Sequence, residues 1–468
     1  MTPALEGHVL VLGLGRSGSA VARFLAARRD AGTPITVSAV DEASEERIGG
    51  LAAELRASGI DVTTGAAAVP AGPYDLVVAS PGIAPHTRLM ASARALGVPV
   101  ISEIELAWRE SSSPWVAVTG TNGKTTVTAL VAHLLGQSGV PAETVGNIGR
   151  AAIAVTPGTG PATVIVAEVS SFQLALTEAF RPRVAVLLNI TPDHIDWHGS
   201  LDAYATDKAR VFSNQGPEDV AVIDTDDPGS RQWVAAVAAQ GVPVRSVSRR
   251  ELPAGGAGLV DGVLTIDMPG GPFAIMPAQE LPIRGDHNVS NALAACAAAV
   301  AAGAEPATLA AGLRTFRPIA HRLEPVGWVD GVEYFDDSKA TNPDAVIKAL
   351  TAFDDRPILL LLGGRNKDNA FDTVAAAAAA RCRAVFVFGE AADEIAEALA
   401  GYPDLDVRRY PAMVPAVGAA RDTAVAGDVV LLSPACASFD EFSGYEHRGR
   451  VFHETVAAFT GSGEGDRP

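Results

Sequence analysis

Cysteine is nearly absent from this 468-residue chain. Cys296, Cys382 and Cys436 are the only three, and they form no close pair, so neither a disulfide framework nor a zinc site is indicated. Such a chain fits a compartment that keeps thiols reduced, and we expect it to be cytoplasmic. Positive charge is short as well: 36 basic against 54 acidic residues leave a formal net charge of −18. That argues against nucleic acid or an anionic membrane surface as the main partner. No apolar run approaches membrane-spanning length. The short run Val9–Leu14 lacks a basic leader and a cleavage site, so neither a signal peptide nor membrane insertion is expected. What is left is an ordinary globular composition, 48% hydrophobic and 19% charged, on a length that suggests about three domains. The tail 461–468 reads as disordered.

The scarcest cation is lysine. There are five, Lys124, Lys208, Lys339, Lys348 and Lys367, while arginine carries the rest of the positive charge. A lysine in this setting marks a need for a compact, titratable amine. All but Lys348 fall inside sharp local motifs, and a phosphate site in an acidic chain must gather its cations locally.

The first of these motifs organises the chain. The strand-like run Trp115–Val118 ends in Gly120-Thr121-Asn122-Gly123, and Lys124-Thr125-Thr126 then leads into the helical pattern Val127, Leu130, Val131, Leu134, Leu135. A strand, a glycine turn and a helix start make a phosphate cradle, because backbone N–H groups converge where the helix dipole favours negative charge. Lys124 would reach the outer phosphates and the Thr125 hydroxyl would hold Mg²⁺. Val118 stands where the full P-loop pattern has glycine, and the competing reading is a plain polar strand-to-helix turn.

The rest of the chain predicts an α/β protein with strand-end polar clusters in three domains, residues 1–102, 103–318 and 319–468. In the first, the strand His8–Leu12 precedes Gly13-Leu-Gly15-Arg16-Ser17-Gly18, and the strand Ile35–Val40 ends in Asp41. That is a weak dinucleotide-type fingerprint. The strand Tyr74–Ala79 stops at Ser80-Pro-Gly82. In the second, Val164–Ala167 carries Glu168 and Val184–Leu188 carries Asn189 to His194, which puts Thr125, Glu168 and His194 on one rim of one sheet. An amphipathic helix, Asp202–Phe212, contains Lys208. Gly255–Ile283 reads as β-hairpins around the runs Leu259–Ile266 and Phe273–Met276. The turn Gly285–Asn288 then launches an Ala-rich helix through Asn291. In the third, polar clusters follow the strands Glu333–Phe335, Ile358–Leu362 and Val429–Leu432, making a second open α/β sheet.

Glu168 is the natural second ligand for a cation held by Thr125, because a hard ion needs more than one oxygen. His194 fits a capping or core position as well as a ligand or substrate contact. Lys208 as an ammonium either binds phosphate or faces solvent, whereas carbamylation would turn it into an anion suited to Mg²⁺. Asp337 suits a ribose hydroxyl. Lys339, Thr341, Lys367 and Ser438 offer two cations and two hydroxyls, the needs of a zwitterionic or dicarboxylic substrate. Arg322, after His321 at a domain junction, suits a bridging contact to phosphate.

Gly120–Thr125, Gly146-Asn147-Ile-Gly149, Glu168–Gln173, Asn189–His194, His321-Arg322 and Asp337–Asn342 occur in that order, and together they resemble the ATP-dependent Mur ligases of peptidoglycan synthesis. Ser433–Asp440 and the short fingerprint domain resemble the branch that adds D-glutamate to UDP-N-acetylmuramoyl-L-alanine. The resemblance runs from Val9 to Arg448. It implies a Rossmann-like first domain that holds the UDP substrate near Gly15, Arg16, Ser17, Asp41, Ser80 and Gly82, with Asn147 and His194 on the muramoyl-alanine part. It implies a central P-loop ATPase domain with a β-hairpin extension, in which Gly120, Thr121, Asn122, Gly123, Lys124, Thr125 and Thr126 bind ATP. Asn288, Asn291, Arg322, Asp337 and Lys339 complete the ATP contacts. Two Mg²⁺ ions would be held by Thr125, Glu168, His194 and a carbamylated Lys208. The third domain, Rossmann-like, would bind D-glutamate through Lys339, Thr341, Lys367, Ser438, Phe439 and Tyr445. The catalytic set would be Lys124, Glu168, His194, Lys208 and Arg322, in a monomer. Glu42-Ala43 depart from the Thr-Arg frequent after the acid, leaving Arg16 or Arg47 as substitutes, and Tyr445 stands where phenylalanine is common. The same architecture accommodates ligases for other amino acids and folate polyglutamylation. A nicotinamide-dependent oxidoreductase or a non-catalytic nucleotide-binding module leaves the third domain unexplained.

Overall fold

The computed structural model describes residues 5–460 apart from 148, 284, 318, 319, 354, 355 and 368. The expected disorder of 461–468 and the expected third-domain boundary at 318–319 therefore lie outside the described residues. The chain forms two compact units, Met1–Gln279 with Ser290–Leu313, and Glu280–Val289 with Arg314–Pro468.

The first unit holds two sheets. In one, β1 (Gly7–Leu12), β2 (Ile35–Val40), β3 (Asp61–Thr63), β4 (Leu76–Ala79) and β5 (Val100–Ser102) run parallel in the order β3-β2-β1-β4-β5. The chain reverses direction across the sheet between β1 and β4, so the Gly13 and Ser80 loops meet at a topological switch point. The other sheet comprises β6 (Trp115–Thr119), β7 (Ala142–Gly146), β8 (Val164–Glu168), β9 (Val184–Leu187), β10 (Val220–Asp224), β11 (Val244–Ser248), β12 (Ala257–Val260), β13 (Val263–Met268) and β14 (Gly271–Pro277). Its order is β14-β13-β12-β11-β10-β9-β6-β8-β7.

β6, β8 and β9 are buried along their whole length, as expected of parallel strands covered on both faces. Registers Val118↔Glu168 and Thr119↔Leu187 bring their carboxyl ends level. The helix Lys124–Gln137 buries Val127, Leu130, Val131, Leu134 and Leu135 on one face. Each such side chain stabilises the layer by about 1.5–3 kcal/mol.

Leu259–Ile266, an alternating run in the segment expected to form β-hairpins, falls on two antiparallel strands. It breaks at Asp261-Gly262, whose φ values of 50° and 76° make the left-handed pair that a two-residue hairpin demands. Asn288 lies inside the helix Asp286–Ala301, whose first turn takes in the residues expected to form the preceding turn.

The second unit holds β15 (Glu324–Val329), β16 (Val332–Asp336), β17 (Ile358–Gly363), β18 (Cys382–Phe388), β19 (Asp406–Tyr410) and β20 (Val429–Ala435), in the order β15-β16-β20-β17-β18-β19. β15 pairs antiparallel with β16 through a second left-handed Asp-Gly turn, Asp330-Gly331. Insertion of β20 between β16 and β17 gathers the loops after all three strands at one edge.

Candidate functional site

The phosphate cradle forms where the glycines allow the backbone to close. Gly123, at φ 85°, starts the helix in a left-handed conformation with no side-chain cap. A Cβ there would lie 2.4 Å from Asn291 Oδ1, so only glycine fits. Asn189 braces the turn: its Oδ1 accepts from Asn122 N at 2.8 Å and its Nδ2 donates to Asn122 O at 3.1 Å. Thr121 is held by Asn189 O, Thr191 N and the Tyr204 hydroxyl. A helix that begins without a side-chain cap leaves that role to an anion.

Two amines converge on this loop. Lys124 Nζ donates to Gly120 O and Thr121 O, both at 2.8 Å, and Lys208 Nζ donates to the same Gly120 O at 2.8 Å. Two nitrogens each 2.8 Å from one oxygen lie at most 5.6 Å apart, so as two cations they would repel by at least about 3 kcal/mol at an effective dielectric of 20. Lys208 is the one that yields. It is 1% exposed, its Nζ sits 4.4 Å above the Tyr204 ring, and burial first and Lys124 second hold its pKa well below the ordinary lysine value.

On the neighbouring strand end, Thr125 Oγ1 donates to Glu168 Oε2 at 2.8 Å and Asn147 Nδ2 donates to Glu168 Oε1 at 3.0 Å. Gly146 makes the approach possible, since a Cβ would lie 2.3 Å from Glu168 O. His194 stands in a left-handed conformation, φ 54°, with its ring edge against Phe172 at 4.7 Å. Thr126 is buried in the first turn of the helix, and Asn291 is buried against Gly123. A hydroxyl and a carboxylate, both hard oxygen donors, fit Mg²⁺, and the uncapped glycine cradle fits a phosphate chain.

A pocket of about 600 Å³ opens at the switch point of the first sheet, lined by Gly15, Arg16, Ser17, Asp41, Ser80 and Gly82 among others. Gly18 permits the loop, since its Cβ would meet Gly13 O at 1.8 Å. Both Asp41 carboxylate oxygens accept from backbone, Oδ2 from Leu14 N and Oδ1 from Ala43 N, so this acid orders the glycine loop. Arg16 donates to Asn147 O at 2.6 Å and so links this pocket to the Glu168 cluster. Arg47 lines the pocket too.

In the second unit, Asp337 is buried, accepts from Ser433 Oγ at 2.8 Å, and is pushed up to about 7 by desolvation against the opposing pull of Ser433 and Arg322. Lys339 Nζ lies 5.1 Å over the Tyr445 ring. The Arg365–Ala437 backbone pair ties the Lys367 loop to the Ser438 loop. Arg448, fully buried, donates to Ser338 O at 2.8 Å, Ser338 Oγ at 2.9 Å and Cys436 O at 3.1 Å. It thereby fixes the loops that carry Lys339 and Ser438. Thr341 lies half-buried beside the Asn342 cap, while Phe439 is 63% exposed.

Sequence reasoning missed Tyr204, Asn189 as a brace, and Arg448. Tyr204 was within reach, because it lies four residues before Lys208 on one helix and therefore on the same face. Arg448 is one arginine among many, and nothing local marks it.

Residues 7–102 match the family model of the Mur ligase MurD-like N-terminal domain, 118–299 that of the Mur ligase middle domain, and 321–436 that of the Mur ligase glutamate ligase domain. The chain is 44% identical over 451 residues to a protein of Pelotomaculum thermopropionicum named "UDP-N-acetylmuramoylalanine--D-glutamate ligase", covering 96% of this chain and 97% of that one. It is 42% identical to a protein of the same name from Frankia casuarinae, covering 97% and 94%. Among solved structures it resembles the UDP-N-acetylmuramate-alanine ligase MurC of Thermotoga maritima, with a TM-score of 0.56 and 20% identity over 96% of this chain and 99% of that one, a likeness of fold. The chain belongs to the Mur ligase family.

Proposed function

From that membership we propose that this chain is the ligase that joins D-glutamate to UDP-N-acetylmuramoyl-L-alanine at the expense of ATP, in the synthesis of peptidoglycan precursors. The relatives above carry that name at more than 40% identity over nearly their whole length. The observation that carries the chemistry is the meeting of Lys124 and Lys208 on one carbonyl beside the Thr125–Glu168 contact. It supports phosphoryl transfer between two anions, a reaction that needs charge neutralisation and alignment more than covalent help.

The γ-phosphoryl group of ATP passes to the terminal carboxylate of the UDP substrate, releasing ADP and forming an acyl phosphate. The D-glutamate amine then attacks the acyl carbon, loses a proton, and expels phosphate. Lys124 exchanges its two carbonyl partners for ATP phosphates, with Gly120, Thr121, Asn122, Gly123 and Thr126 shaping the cradle. Asn288, Asn291 and Asp337 serve the nucleoside, and Arg322 completes the charge. Thr125, Glu168, His194 and Lys208 as its carbamate would hold two Mg²⁺ ions, which when bound neutralise charge between the phosphates and the carboxylate. The amine form is the one that adds CO₂, and burial beside Lys124 shifts Lys208 in that direction. Gly15, Arg16, Ser17, Asp41, Ser80 and Gly82 take the uridine diphosphate, and Asn147 with His194 the muramoyl-alanine end. Lys339, Thr341, Lys367, Ser438, Phe439 and Tyr445 take D-glutamate.

We assign these tasks to divisions at 1–102, 103–318 and 319–468, a partition supported by the three separate sheets. The enzyme acts in the cytoplasm as a monomer. Among the described residues no helix is long and apolar enough to cross a membrane.

Phosphate release measured with the UDP substrate, ATP and a panel of amino acids tests the reading. D-glutamate alone should stimulate release. Equal stimulation by L-alanine, a diamino acid or a dipeptide overturns the assignment.

A further inference from the structure

A second polar cluster lies at the carboxyl end of β16, and the proposed ligation leaves it unused. His321 Nδ1 is 2.6 Å from Asp336 Oδ2, and His453 Nε2 is 3.0 Å from the same oxygen. His453 Nε2 is also 3.7 Å from Glu324 Oε2. One ligand atom from each of these four residues lies within 4.8 Å of every other.

A hydrogen bond joins His321 Nδ1 to Asp336 Oδ2, which leaves the placement of His453 and Glu324 to be explained. His453 Nε2 is shielded from solvent and makes no hydrogen bond of acceptable geometry among the described residues, despite its nearness to Asp336 Oδ2. The nitrogen therefore has two carboxylate oxygens near it, Asp336 Oδ2 at 3.0 Å and Glu324 Oε2 at 3.7 Å. A glycine guards the cluster. Gly449 lies on the helix Tyr445–Thr460, four residues before His453, where glycine costs about 1 kcal/mol relative to alanine. A Cβ there would lie 2.1 Å from His321 Nδ1 and 2.6 Å from Asp336 Oδ2. Any side chain at 449 would displace the imidazole or the carboxylate.

The donor set has a definite preference. Two imidazoles and two carboxylates suit a borderline ion of the Zn²⁺ class better than Mg²⁺, which favours oxygen and retains water. In tetrahedral coordination at about 2.0–2.1 Å the ligand atoms stand about 3.3 Å apart. Three of the six ligand-atom pairs stand at 2.6, 3.0 and 3.7 Å and all six lie within 4.8 Å, so side-chain adjustments of about 1 Å bring them to that spacing. Two carboxylates with neutral imidazoles carry a charge of −2, which one divalent ion cancels. Outer partners are in place as well: Asp336 Oδ1 accepts from Ser338 N at 2.8 Å, and Glu324 Oε2 accepts from His321 N at 2.7 Å.

We propose that His321, Glu324, Asp336 and His453 form a site for one divalent transition-metal ion of the Zn²⁺ class, which fastens the β15–β16 pair to the helix Tyr445–Thr460.

The test titrates the full chain with Co²⁺ under saturating Mg²⁺, which keeps the phosphate cradle's own ion positions filled. The expected result is a visible absorption band of four-coordinate Co²⁺ that saturates at one equivalent and is abolished by one equivalent of Zn²⁺. Glu324→Gln and His453→Ala should each weaken binding at least about tenfold, the smallest loss seen when even an outer partner is removed. Both should leave ligase turnover unchanged, and His194→Ala should leave the band intact. No band, a band that survives in Glu324→Gln, or one lost in His194→Ala overturns the proposal. Glu324→Gln is isosteric at a partly exposed position, and a melting curve matching the parent's shows that it folds, so the test stands even where His453→Ala fails to fold.

Discussion

Replacing Lys208 with methionine separates the structural task of this side chain from its chemical one. Lys208 is 1% exposed, and methionine fills nearly the same volume without an amine. Gly120 O keeps Lys124 as a donor at 2.8 Å, so no acceptor is orphaned. The lost hydrogen bond is worth about 1 kcal/mol, offset in part because a buried amine no longer has to be desolvated. Melting should therefore move by less than about 4 °C. Turnover should fall by about 10²–10³, the usual effect of removing a preorganised electrostatic partner. The assay is phosphate release with all three substrates, alongside ¹³C NMR of protein equilibrated with ¹³CO₂. A carbamate carbon should appear in the parent and be missing from Lys208→Met. Carbamate formation releases a proton, so brief acidification should silence the parent and bicarbonate at neutral pH should restore it. A methionine variant within about tenfold of parental turnover, or a parent without a carbamate signal, refutes the reasoning.

Lys124→Ala should abolish phosphate release while the UDP substrate still binds with nearly parental affinity; loss of both together would break the proposed division of labour. Gly123→Ala forces a side chain into φ 85° and against Asn291, so we expect about 1–2 kcal/mol of strain and a raised KM for ATP, with the KM for D-glutamate unmoved. Glu103 accepts from Ile153 N at 2.8 Å, but its Oε2 is buried without a hydrogen-bond partner among the described residues, and burial pushes the carboxyl from 4.5 up to about 7. The folded chain then keeps a proton that the unfolded chain releases above pH 4.5. Stability should fall as pH rises from about 4.5 to 7, by up to about 1.4 kcal/mol per unit, and level off above. Glu103→Gln should remove that slope in denaturant unfolding followed by tryptophan fluorescence, and equal slopes in parent and variant would contradict the assignment.

Local chemistry made much of the architecture legible. Val9–Leu12, Ile35–Val40, Trp115–Thr119 and Ile358–Gly363 announce themselves as apolar runs because parallel strands are covered on both faces. The glycines at 120 and 123 and the scarce lysines marked the cradle, because turn geometry and amine chemistry are properties of single residues. Edge strands were harder to read. β19, Asp-Val-Arg-Arg-Tyr, is mostly exposed and has no apolar run to reveal it. β15 was missed although Asp330-Gly331 signals its hairpin.

What the chain order left undecided was which distant groups share an environment. Nothing local states that Lys208 meets Lys124 on the carbonyl of Gly120, that Arg448 reaches Ser338 and Cys436, or that His453 closes on Asp336. Those contacts arise when sheets and helices pack. Packing removes the water that would otherwise screen each charge, and only then does burial lower the pKa of an amine or do two imidazoles come to face one carboxylate. The amino-acid order supplied the parts and their local geometry; burial set their protonation and their partners.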